Sequence, residues 1–149
     1  MKFSNVEELK EAAGSHLGFS EWWEITQGRV DLFADATDDH QFIHVDPERA
    51  ARTPFGGSIA HGFLTLSMGI PLLQQIFQLE GVRMGVNYGV NKVRFPAPVP
   101  VGSKLRAGAS IVSVNDVPGG VQLVLDVTFE IEDGEKPVCV AQTVSRYYL

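Results

Sequence analysis

With 149 residues and 44% apolar side chains, the chain can bury a core of its own, and no repeat, low-complexity tract or linker divides it, so one domain over residues 1–149 is expected. A net charge of −6, from 12 Lys/Arg against 18 Asp/Glu, argues against a nucleic-acid-binding protein. The single Cys139 excludes an intramolecular disulfide and a cysteine metal cluster, and residues 1–13 lack the apolar centre of a secretory signal, so a cytoplasmic location is expected.

In chain order, Ser4 or Asn5 is placed to cap a short helix over 7–11, residues 22–26 read as a strand, and 28–36 read as a helix. That helix leads into Phe33-Ala34-Asp35-Ala36-Thr37-Asp38-Asp39-His40-Gln41-Phe42-Ile43-His44. Asp39 and His44 are five residues apart, and such a pair can act on one water molecule as a general base if a bend brings the side chains together. Pro47 makes continuous helix through the segment improbable. The other reading of these residue types is a capping Asp and a surface histidine. Asp46 is placed to cap a helical turn over 48–51.

Residues 58–79 read as one long buried helix, with Gly56-Gly57-Ser58 as the loop and cap before it. About twenty residues give a rod of about 30 Å. Gln74, Gln75 and Gln78 make it too polar to cross a membrane, and Pro71 interrupts or kinks it. Free N–H groups in its first turn, around Gly62, would suit a developing oxyanion. Alternatively, Gly62 is small so that another segment can come close.

After that helix the chain turns to β. Residues 83–95, 104–115, 121–132 and 138–148 are rich in β-branched and aromatic side chains, with turns at Pro118-Gly119-Gly120 and Asp133-Gly134. Pro96, Pro98 and Pro100 break the first two apart. A long helix wrapped by an antiparallel meander is an α+β design. Between 83 and 106 there are five cations, Arg83, Lys92, Arg94, Lys104 and Arg106, and no acid. An acidic protein that binds a polyanion needs such a local basic patch, because screening limits help from distant charges. Solvated strand-face charges are the other reading.

The segment Phe33 to His44, the run Ala60-His61-Gly62, and Asn91-Lys92-Val93-Arg94-Phe95-Pro96-Ala97-Pro98-Val99 together resemble the MaoC-like dehydratase family. The likeness is to its (R)-specific enoyl-CoA hydratases and nodulation-protein-N-like members. It implies a hot-dog fold, an antiparallel sheet around a central helix, and a homodimer. It also implies reversible syn addition of water to a trans-2-enoyl-CoA, giving a (R)-3-hydroxyacyl-CoA. Asp39 and His44 would be catalytic, the Gly62 amide would form the oxyanion hole, and Gln41 would position the water. Phe42, Phe63, Lys92 and Arg94 would contact substrate. No metal or redox cofactor is implied, coenzyme A entering as part of the substrate. The chain departs from the family motif at Asp38 for Gly, Gln41 for Asn and Phe42 for Pro. Three rival readings are a thioesterase, a non-catalytic acyl-CoA-binding or partner subunit, and a metal hydrolase on Asp39, His40, His44 and His61. The first lacks a carboxylate anywhere in 58–79, and the second is opposed by the intact Asp39/His44 pair. The third lacks the carboxylate after its first histidine, where Gln41 stands.

Overall fold

The computed structural model describes residues 1–149 and begins with an element that local pattern does not announce. Strand β1 (Lys2–Phe3) pairs in parallel with Gln78–Leu79, and the Met1 ammonium donates to Ile76 O at 2.6 Å. Helix α1 (Val6–Glu11) starts as expected at Asn5, whose side chain accepts the Glu8 N–H at 3.0 Å while the Glu8 carboxylate accepts the Ser4 N–H at 2.8 Å. This reciprocal arrangement is a capping box displaced by one residue. Strand β2 (His16–Phe19) was not anticipated, and the strand expected over 22–26 shrinks to β3 (Trp23–Glu24).

Helix α2 (Gln27–Thr37) is capped by the Thr26 hydroxyl, which accepts the Arg29 N–H at 3.1 Å, and ends at Asp38 in the left-handed region (φ 58, ψ 21). Two single turns follow, α3 (Phe42–Val45) and α4 (Pro47–Ala50). The second has the expected cap: Asp46 accepts the Arg49 N–H at 3.1 Å, and Pro47 occupies the first turn, where no N–H is needed.

The single helix expected over 58–79 is instead two, α5 (Gly62–Ser67) and α6 (Gly69–Ile76). Pro71 has no N–H to offer the Ser67 carbonyl and its ring crowds that group, so the regular ladder fails one turn ahead of it. Met68 stays in right-handed helical geometry (φ −62, ψ −16), which makes the join a kink. Residues 58–60 stay extended because their backbone is engaged elsewhere. The Ala60 N–H donates to Val99 O at 2.8 Å, and Ser58 O accepts the Val101 N–H at 2.9 Å. The last residues form β4 (Gln78–Leu79), the partner of β1. No helix is long and apolar enough to cross a membrane.

The four long strands are β5 (Met84–Arg94), β6 (Lys104–Val117), β7 (Gly120–Ile131) and β8 (Cys139–Tyr148). The last three form the expected antiparallel meander, but β5 does not extend it. The path is β2-β6-β7-β8-β5, with β3 beside β6, so β5 lies at the far edge and pairs only with β8. Leu9, Val30, Leu64 and Leu72 from the helices join Leu105, Ile111, Leu125 and Phe129 from the sheet in one buried cluster. At Gly69 a Cβ would come 3.0 Å from the Phe129 ring, so glycine lets the kinked helices settle onto the sheet. Strand β5 is exposed along nearly its whole length, Tyr88 at 57% and Val90 at 47%.

Candidate active site

The left-handed exit of α2 at Asp38 turns the chain so that Asp39 faces back toward the helical turn carrying His44. Asp39 is exposed, His44 is 7% exposed, and a carboxylate oxygen of the first, a ring nitrogen of the second and a ring nitrogen of His61 all lie within 4.8 Å of one another. His44 Nδ1 sits 2.6 Å from Ile59 O. A carbonyl can only accept, so Nδ1 carries the proton and Nε2 keeps a free lone pair. The residue is held a second time by Gln27, whose Nε2 donates to His44 O at 2.7 Å.

His61 belongs to this cluster, although the sequence gives its side chain a role only in the rival metal set. Its ring stacks on His44 with centroids 3.9 Å apart and planes 24° from parallel, and its Nε2 donates to the Asp39 backbone carbonyl at 3.0 Å. The signal that could have found it is its position next to Gly62. The stack also bears on metal binding. Lone pairs of nearly parallel rings point along separate planes, whereas an ion needs both at about 2.0–2.1 Å. His40, the fourth member of the set, turns away to pair with Asp35 at 2.9 Å, and that carboxylate raises its pKa above the usual histidine value.

A pocket of about 330 Å³ opens beside the cluster, lined by His44, Gly62 and Thr65 with Ile59, Phe95 and Val138. Gly62 is the first residue of α5, its N–H has no acceptor within the helix, and no side chain caps that end. Its missing side chain also matters: a Cβ would come 3.0 Å from the Phe95 ring. Both sequence readings of Gly62, open donor and close approach, therefore describe the same residue. Because α5 has six residues and not twenty, the donor's value rests on the N–H itself more than on a long helix dipole.

The other expected residues are placed less centrally. Gln41 is exposed next to the acid, its backbone N–H 3.4 Å from Asp39 Oδ1. Phe42 does not line the pocket; the Arg49 guanidinium lies 4.3 Å over its ring. Phe63 is 67% exposed and meets Phe95 edge-on at 6.0 Å. Lys92 and Arg94 border a separate cavity of about 420 Å³ together with Asp126. The acid-free window does not remain acid-free in space: β7 supplies Glu130 to Arg106, and Glu132, just past the end of β7, lies 3.6 Å from Lys104.

The departure from Gly at Asp38 falls at a backbone position that favours glycine. Left-handed geometry strains a residue with a Cβ, although Asp is among the most tolerant. Asp38→Gly is expected to raise stability by about 0.5–1 kcal/mol and to keep activity. Urea denaturation checks this, and an unchanged or lower midpoint would show that the turn is not strained.

Residues 8–130 match the family model described as MaoC like domain. The chain belongs to the MaoC-like dehydratase family, and is a hydro-lyase built on the hot-dog fold. 3-Hydroxyacyl-thioester dehydratase Z of Mycobacterium tuberculosis is 55% identical over 146 residues, which cover 97% of both chains. Nodulation protein N of Rhizobium leguminosarum bv. viciae is 44% identical over 151 residues, 95% of this chain and 89% of that one. Among solved structures, a monoamine oxidase regulatory protein from Archaeoglobus superposes with a TM-score of 0.81 at 24% identity over 99% of this chain and 96% of its own. An (R)-hydratase from A. caviae gives 0.68 at 24% identity over 89% and 94%.

Proposed function

We propose that the chain adds water reversibly to trans-2-enoyl thioesters of coenzyme A, giving (R)-3-hydroxyacyl thioesters, and removes it in the reverse direction. The observation that carries this reading is the juxtaposition of the Asp39 carboxylate with His44, whose Nδ1–H is anchored on Ile59 O and whose Nε2 is free. In the forward direction a water held by the pair loses a proton to the imidazole as its oxygen bonds to C3. The C2=C3 π electrons move to the thioester, whose oxygen acquires enolate charge against the Gly62 N–H. The His44 imidazolium passes its proton to the Asp39 carboxylate, which delivers it to C2 as the enolate collapses, so both groups end as they began and one water has been added, with OH on C3 and H on C2. Both groups stand on one side of the substrate, which makes the addition syn. Gln41 orients the water.

Every bond in this scheme is made by proton transfer and nucleophilic addition, so it calls for no metal or redox cofactor. Lys92 and Arg94, free of the acids that engage Lys104 and Arg106, are the cations for the coenzyme phosphates. The bare edge of β5 takes a second copy, making a homodimer, and residues 1–149 act as one domain. A cytoplasmic home suits the buried free thiol of Cys139. Support also comes from the (R)-specific enoyl-CoA hydratase of Aeromonas caviae, 34% identical over 87 residues, 58% of this chain. The thioesterase reading is weaker. Neither α5 nor α6 carries a carboxylate, and burial pushes the Cys139 thiol up to about 11, far from a reactive thiolate.

The test is stereochemical, because a fixed base and a pinned carbonyl present water to one face of C3 only. Crotonyl-CoA should give product that an R-specific 3-hydroxyacyl-CoA dehydrogenase oxidises and an S-specific one does not. S product would refute the assignment, and release of free thiol would make the protein a thioesterase. In the same assay, added salt should raise KM for crotonyl-CoA and leave crotonyl-pantetheine unaffected. Equal salt response would remove Lys92 and Arg94 from the binding site.

A further inference from the structure

His61 is 3% exposed, and one of its two ring nitrogens, Nδ1, is buried with no hydrogen-bond partner. An unpaired buried acceptor costs stability, so a structural role explains the residue poorly. Its other nitrogen reaches Asp39 O at 3.0 Å, and since a carbonyl only accepts, the proton sits on Nε2. On His44 the proton sits on Nδ1, by the same argument at Ile59 O. Two stacked histidines are therefore held in opposite tautomers. Phe33 packs against the His61 ring at 4.8 Å, so the ring is held between Phe33 and His44.

We propose that His61 is a positioning residue for the hydration reaction. Its Nε2–H fixes the main chain of Asp39, and the ring packs in the space between Phe33 and His44, so it is the donor that sets the separation of acid and base. The proposal rests on the hydration reading above. When His44 takes the proton of the attacking water, the neutral face of His61 lies against the new imidazolium, an arrangement that favours the cation.

Two substitutions separate the donor from the ring. His61→Phe keeps a flat ring in the stack and removes the N–H; His61→Gln removes the ring and returns an amide N–H close to the Nε2 position. With crotonyl-CoA, His61→Phe should lower kcat by about 10- to 100-fold with KM changed by no more than about twofold, since a misplaced acid affects the chemical step. His61→Gln should stay within about fivefold of the unaltered protein. A kcat for His61→Phe equal to the unaltered protein's, or a Gln variant as impaired as the Phe variant, would overturn the proposal. Nitrogen-15 NMR of the histidine-labelled protein at neutral pH gives a readout independent of turnover. Protons on Nε2 of His61 and Nδ1 of His44 are expected, and a proton on Nδ1 of His61 would overturn the proposal even if the variants behaved as expected. If the unaltered protein hydrated no enoyl thioester, the hydration reading would fall, whereas the NMR result would still decide the tautomers. Should His61→Phe not fold, the Gln variant and the NMR spectrum decide the matter.

Discussion

Asp39→Asn is expected to lower the hydration rate by about 10² to 10⁴, the usual worth of a positioned acid or base, and to leave the melting temperature nearly unchanged. The carboxylate is exposed and its side chain holds only a long contact to the Gln41 N–H, so the substitution removes chemistry and little structure. For His44 the choice of replacement matters more. The side chain is buried and its Nδ1–H satisfies Ile59 O; an apolar replacement would strand that carbonyl at about 1–3 kcal/mol. His44→Asn keeps an N–H near the Nδ1 position and deletes Nε2, so it should lose activity on the same scale as Asp39→Asn and melt close to the unaltered protein. Initial rates per folded molecule, with melting curves alongside, check both. Activity retained with stability lost would return the pair to a structural role. An inactive Asp38→Asn beside an active Asp39→Asn would place the acid one residue earlier.

The second large effect is expected at Gly62. Proline suits the first position of a helix and removes the N–H, so Gly62→Pro should lower kcat by about 10² to 10³, the cost of one lost oxyanion donor. Any side chain there also meets Phe95, whose ring lies 3.0 Å from the position of a Cβ. Gly62→Ala supplies the control, since it carries the same clash and keeps the donor. Alanine should therefore cost far less than proline in kcat, in single-turnover measurements on folded variants. Equal losses would mean that Gly62 serves only to make room for Phe95, and the oxyanion would need another donor.

Local chemistry made part of this molecule readable from its residues. Caps at Asn5 and Asp46 need only neighbours three residues away, and the meander after Lys104 announces itself by long β-branched runs and Gly-containing turns. What escaped notice depends on distant partners. β1 is two residues long and exists because β4, just past α6, offers it an edge. β2 carries Gly18 at φ 110 and a register shift, which spoil the alternation that marks a strand. The helix over 58–79 was overextended because apolar content cannot reveal that Ser58 and Ala60 bond across to Val99 and Val101. In the site, the spacing of Asp39 and His44 suggested a pair only on condition of a bend, and Asp38 supplies it. His61 was underrated because its role lies in stacking and in a main-chain carbonyl 22 residues back, neither of which has a sequence signature. The acid-free window fails for the opposite reason: its neutralising carboxylates come from β7 and from the residue just after it.

The placement of β8 between β7 and β5 has a consequence for how the molecule comes into being. Chains are synthesised from the N-terminus, so β5 emerges long before the one strand of its own chain that pairs with it. Until β8 arrives, β5 and β7 each expose an edge, and the nascent sheet is open at its middle. Pairings of high sequence separation close slowly, because the loop entropy is lost before the contacts form. Completion of the sheet is thus a late and concerted event, and the interval before it is when a nascent chain is most exposed to edge-to-edge association with its neighbours.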